Sequence, residues 1–78
     1  MAKFPTDVSG AELRAALERA GFVFRRQKGS HMILRRDQPY GRAVVPNHKQ
    51  LRIGTLRRIM ADTGLSLEQL LTLLGRTY

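Results

Sequence analysis

Apolar residues along the chain change their period twice, and the changes divide it into elements. Leu13, Ala16, Leu17 and Ala20 recur at helical spacing. Ser9 stands ahead of them with Glu12 three residues on, a pair that can satisfy each other's free amides, and Gly21 is placed to end the run. The spacing predicts a helix over about residues 10–20. The preceding residues 1–8 read as a short lead-in in which Pro5 stops any earlier helix.

From Phe22 the pattern becomes strand-like. Phe22 to Lys28 is rich in aromatic and branched residues, Gly29-Ser30 is a two-residue hairpin signal, and His31 to Arg36 is the return strand. Asp37 to Gly41 reads as a loop, and Arg42 to Pro46 as a third, short strand. A strict two-residue turn pairs Lys28 with His31. It sets Phe22, Phe24, Arg26, Ile33 and Arg35 on one face and Val23, Arg25, Met32 and Leu34 on the other. Neither face is then cleanly apolar, so the pattern calls for a bulge or a longer turn.

Helical spacing returns after a polar connection over 47–53. Gly54-Thr55 can open a second helix with Thr55 as its cap; Leu56, Ile59 and Met60 are its apolar stripe, and Gly64 stops it. Ser66 with Gln69 forms another capping box, and Leu67, Leu70, Leu71 and Leu74 line a last helix. The reading is one α+β domain over residues 1–78, ordered α-β-β-β-α-α. Each helix has one apolar stripe, so the helices should pack on one face of a three-stranded antiparallel sheet and leave the other open.

Charge changes the picture. The 78 residues carry 14 Lys and Arg against 6 Asp and Glu, a net +8. Ten of the bases lie between Arg25 and Arg58, where Asp37 is the single acid. Eleven of the fourteen are Arg, whose planar fork matches phosphate better than a lysine ammonium does. A polyanion partner follows from that concentration. The bases fall mostly in strands and loops rather than along one amphipathic helix, which argues against a membrane surface. With 42% hydrophobic residues the chain can fold, yet no apolar run approaches a membrane span. The Met-Ala-Lys-Phe-Pro-Thr-Asp start lacks the apolar core of a secretory signal, so the expected setting is the cytoplasm.

Candidate chemistry is sparse. Cysteine is absent, the two histidines and scattered acids have no metal-ligand spacing, and no phosphate-binding glycine loop occurs, so neither metal nor cofactor is expected. His31 follows a tight turn and is flanked by Lys28 and Ser30. An imidazole there can take a proton from a ribose 2′-hydroxyl or give one to a leaving oxygen, while nearby bases neutralise the phosphate. A packed or exposed strand histidine is the plainer alternative. His48, in Val-Pro-Asn-His-Lys, reads as an exposed loop residue or a substrate contact. Tyr40 reads as a loop aromatic packed locally, with stacking on an unpaired base as the other option. The helices over 55–74 resemble a helix-turn-helix, but the second holds no base and one acid, which suits DNA poorly.

Gly21-Phe22, Arg26-Gln-Lys-Gly-Ser-His31, Val45-Pro-Asn-His48, Gly54-Thr-Leu-Arg-Arg-Ile59 and Thr63-Gly-Leu-Ser66 together resemble the HicA (YcfA-like) toxins of toxin–antitoxin systems. The resemblance runs from about Ser9 to Leu74. It implies a fold like a double-stranded-RNA-binding domain and an endoribonuclease that cleaves mRNA, with the histidine of Gly-Ser-His, here His31, as the catalyst. It also implies a cognate HicB-like antitoxin, through which DNA would be contacted only indirectly. The candidate RNA-binding residues are Arg26, Lys28 and Arg35 for phosphate and Gly29 and Ser30 at the turn. His48, Lys49 and Arg57 add to them from the following loop and helix. The alternatives are a non-catalytic RNA-binding module of the same fold, a DNA-binding domain and a protein-interaction domain.

Overall fold

The computed structural model describes residues 3–76; the first two residues of the lead-in and the last two of the chain lie outside them. The elements run α1 (Gly10–Arg19), β1 (Val23–Lys28), β2 (His31–Asp37), β3 (Tyr40–Pro46), α2 (Ile53–Thr63) and α3 (Leu67–Leu73). The strands form one antiparallel sheet in the order β1-β2-β3. This is the expected α+β architecture, α-β-β-β-α-α around a three-stranded antiparallel sheet.

Local chemistry sets most of the element ends. Ser9 and Ser66 each form a complete capping box, with Glu12 and Gln69 respectively. Gly64 closes α2 in the left-handed region, φ 76°, and its amide donates to the Met60 carbonyl. The start of α2 departs from expectation. The helix begins at Ile53 with Arg52 at the cap position and no capping side chain, so Thr55 sits in the first turn instead of capping it. The cause lies upstream: Leu51 is buried, and its amide donates to the Val8 carbonyl at 2.7 Å, fixing where the chain enters the helix. The connection expected to be wholly polar thus contributes a core residue, and so does the lead-in, through Val8.

The sheet register resolves the conflict in the strand pattern. The two-residue turn is present, with Gly29 at φ 60° and Lys28 opposite His31. Between Phe24 and Arg26 the register shifts, with Phe24 opposite Leu34 and Arg26 opposite Ile33. Arg25 is the extra residue of a bulge. The shift turns Phe24 to the same face as Met32 and Leu34, where it packs against the core with Phe22. Arg26 and Lys28 go to the other face. The third strand is longer than the pattern suggests, because Asp37 pairs with Tyr40 and the connection shrinks to Gln38-Pro39.

One core joins Leu13 and Leu17 of α1, Met32, Leu34, Ala43 and Val45 of the sheet, Leu56 and Ile59 of α2 and Leu70 of α3. Leu70 and Leu71 make α3 a structural helix. Close packing positions the rest. A Cβ on Gly41 would lie 2.9 Å from the Phe22 ring and 3.6 Å from the Thr63 Cα, so the end of α2 sits beside the start of β3. Arg36 spans this junction, donating to the carbonyls of Ala20, Pro39 and Thr63. The helix α2 therefore packs along β3, and the outer sheet face is open on its β1 side and walled on its β3 side.

Candidate functional site

The outer face carries the residues that alternate with the core positions. Lys28 and Arg26 come from β1; His31, Ile33 and Arg35 from β2; Tyr40, Arg42, Val44 and Pro46 from β3. Ile33 is buried at the centre of this face, between its partners Arg26 and Val44. His31 is exposed at the head of the central strand, with Lys28 opposite on one side and Pro46 on the other.

On the β3 side the face deepens into a cleft of about 640 Å³. Its sheet wall is His31, Tyr40, Arg42, Val44 and Pro46; its helix wall is Thr55, Arg58, Ile59 and Asp62. A basic sheet with one histidine at the head of its central strand meets a helix that adds a further guanidinium. In chemical terms the cleft presents a proton-transfer group, two cations, a hydroxyl, an exposed aromatic ring and one carboxylate. Among the described residues no group of three or more His, Asp or Glu side chains is placed to hold a metal ion.

The candidate residues divide by position. Arg26, Lys28, His31 and Arg35 share the outer face, and Arg35 has a carboxylate neighbour, Asp37, at 3.2 Å. Gly29 and Ser30 form the exposed turn, whose carbonyls accept from the Gln27 side chain and the Asn47 amide. His48 and Lys49 are exposed on the loop after β3, outside the cleft lining, and the His48 carbonyl accepts from Gly10 at 2.8 Å. Arg57 is not brought to this group: its guanidinium lies 4.9 Å from the centre of the Phe4 ring, and its neighbour Arg58 lines the cleft instead.

Arg42, Arg58 and Asp62 line the cleft and were not singled out from the sequence, and Tyr40, weighed there for base stacking, joins them. Tyr40 is an exposed strand residue, 69% accessible, not a locally packed loop aromatic. Arg42 points outward because it alternates with Ala43 and Val45, the buried positions of β3; the run Ala43-Val44-Val45 is apolar throughout, so the sequence alone did not say which face it takes. Arg58 and Asp62 follow Thr55 at helical spacing, a polar stripe beside the apolar one; only the packing of α2 on β3 turns it toward the sheet.

Fold and site together define a small α+β domain with a basic, histidine-bearing sheet face flanked by a helix. The family described as HicA toxin of bacterial toxin-antitoxin matches residues 10–65, from the start of α1 to just short of α3, and the chain belongs to that family. Its role is that of the toxin in a toxin–antitoxin system, which pairs it with an antitoxin. The match stops before the third helix, which the resemblance had taken in. No curated protein matches the chain. Among the described residues no helix is long and apolar enough to cross a membrane.

Proposed function

We propose that this toxin is an endoribonuclease that cleaves mRNA in the cytoplasm, with His31 as general acid or base. The observation that carries the reading is an exposed imidazole shared between a lysine-bearing strand and an arginine-lined cleft, in a chain of the HicA toxin family. RNA supplies its own nucleophile. The ribose 2′-oxygen attacks the adjacent phosphorus, the O2′–P bond forms and the P–O5′ bond breaks. One proton leaves O2′ and one reaches O5′. His31 handles one of these transfers, a role worth about 10²–10⁴ in rate, and water serves the other. No metal is needed to generate the nucleophile. Lys28 and Arg26, nearest His31, stabilise the charge gathering on the reacting phosphate, while Arg35, Arg42 and Arg58 lie further along the face and hold the neighbouring phosphates of the strand. The Gly29-Ser30 turn and the His48-Lys49 loop adjoin that track.

The partner in this reading is a HicB-like antitoxin that covers the outer face, and contact with DNA belongs to the complex. The test is purified wild type against His31→Ala on mRNA with EDTA present, with folding checked by thermal melting. Cleavage by the wild type alone is expected; equal cleavage by both removes His31 as the catalyst. RNA left intact by folded wild type, yet bound with steep salt dependence, would favour a binding module without catalysis.

A further inference from the structure

We propose that the cleft between β3 and α2 takes an unpaired stretch of RNA and holds one base, guanine best, at its Tyr40–Asp62 end, a few nucleotides from the phosphate at His31. This rests on the ribonuclease reading and adds to it a strand class and a specificity subsite.

The order of residues along the cleft carries the argument. Thr63 sits beside Gly41, so α2 has its C-terminal end near Tyr40 and its N-terminal end toward Pro46, the partner of His31. His31, Pro46 and Thr55 therefore mark one end, Tyr40 and Asp62 the other, with Arg42 and Arg58 between them. Six strand steps separate Tyr40 from Pro46, about 20 Å at the usual rise. That is too far for one nucleotide and fits a short extended strand.

Charge tells the two ends apart. Phosphates are drawn to the guanidinium groups in the middle and repelled by Asp62. The Asp62 side chain is half exposed and only loosely paired with Arg58, at 3.9 Å. A carboxylate accepts hydrogen bonds and donates none, so it prefers a base edge that donates. Guanine offers two N–H groups side by side on its Watson–Crick edge, whereas uracil offers one between two carbonyls. The exposed Tyr40 ring supplies a stacking surface beside it. A duplex cannot use this end, since pairing occupies that edge and buries the face of the base.

The test uses the full-length His31→Ala protein, chosen so that cleavage does not consume the RNA. Fluorescence anisotropy follows short single-stranded RNAs with one guanine moved stepwise through a uridine background, the matching abasic RNAs, and a duplex. We expect one register to bind about tenfold more tightly than uridine alone, and the abasic RNA to lose that gain. Adding Asp62→Asn should bring the guanine-bearing RNAs to the same affinity as oligouridine. Tyr40→Ala should weaken all single strands, and Tyr40→Phe should restore them. Equal binding of guanine, uridine and abasic RNAs, or tighter binding of duplex, overturns the subsite and leaves the ribonuclease reading standing. Failure of folded protein to bind any RNA removes both.

Discussion

Gly10 packs so closely against Pro46 that a Cβ on Gly10 would overlap the Pro46 carbonyl oxygen. Pro46 is the cross-strand partner of His31. The start of α1 is thereby tied to the strand that flanks the proposed catalytic residue. Two backbone bonds complete the tie: Gly10 donates to His48 at 2.8 Å, and Asn47 donates to Ser30 at 2.7 Å.

Gly10→Ala should therefore destabilise the protein by about 1–3 kcal/mol, the usual cost of overpacking, although alanine is the better helix former. Gly54→Ala is the control. Gly54 lies in the first turn of α2 and a Cβ there meets nothing within 4 Å, so that variant should be neutral or gain up to about 1 kcal/mol. Urea midpoints of the two variants check this, and a stable Gly10→Ala protein would show that the contact is soft.

A second prediction concerns Arg36, which lies on the core face of β2. Its guanidinium sits 4.4 Å from the centre of the Phe22 ring and donates to three carbonyls from three separate segments. A lysine ammonium cannot reproduce that planar fork. Arg36→Lys should cost about 1–3 kcal/mol in urea unfolding, with no charge change to confuse the result. If the midpoint holds, the three carbonyls are satisfied by water and Arg36 is only a cover for Phe22.

The sequence was legible where the determinants are local. The capping boxes at Ser9 and Ser66 and the stop at Gly64 depend on neighbours within a few positions, so the pattern revealed them. Arg36 sits in a basic stretch and looks like any surface cation; its carbonyl partners lie as far away as Thr63. The bulge at Arg25 could be inferred as a need, since a strict turn splits the apolar residues between faces, but its position follows from packing Phe22 and Phe24 together. His31 was visible because the Gly-Ser turn precedes it. The cleft was not, because its second wall depends on how α2 lies along β3, which the contacts of Gly41 and Thr63 decide.

Acid should loosen the N-terminal region in a defined sense. Glu12 is held below its ordinary value of 4.5, chiefly by the Ser9 backbone amide, then by the Ser9 hydroxyl and Arg76. Arg76 donates to Glu12 at 3.1 Å and also reaches Asp7, joining the end of the described chain to the start of α1. A carboxylate with a lowered folded-state pKa stabilises above its unfolded pKa and loses that contribution as pH falls through the folded one. The loss thus begins near 4.5 and continues below it. Between about pH 6 and about pH 3 the urea midpoint of Glu12→Gln should fall less than that of the wild type. Glutamine keeps the capping box, so parallel curves would mean that the carboxylate charge adds nothing. Ser9→Ala, which removes the cap itself, should cost about 0.5–2 kcal/mol at neutral pH.

Salt dependence can locate the RNA track on the surface. Each phosphate contact with a single strand contributes about −0.7 to the slope of log K against log salt. Arg42 and Arg58 line the cleft, so in a His31→Ala background Arg42→Gln and Arg58→Gln should each flatten the slope by about that amount. Arg35 shares its charge with Asp37 at 3.2 Å and should contribute less. Arg57 stands next to Arg58 in sequence, but its guanidinium covers Phe4, so Arg57→Gln should leave the slope unchanged. The two neighbours form a paired test, because they differ in direction and hardly at all in sequence context. If Arg57 proves the more important of the two, the strand runs along the far side of α2, and the cleft is not where this toxin holds its RNA.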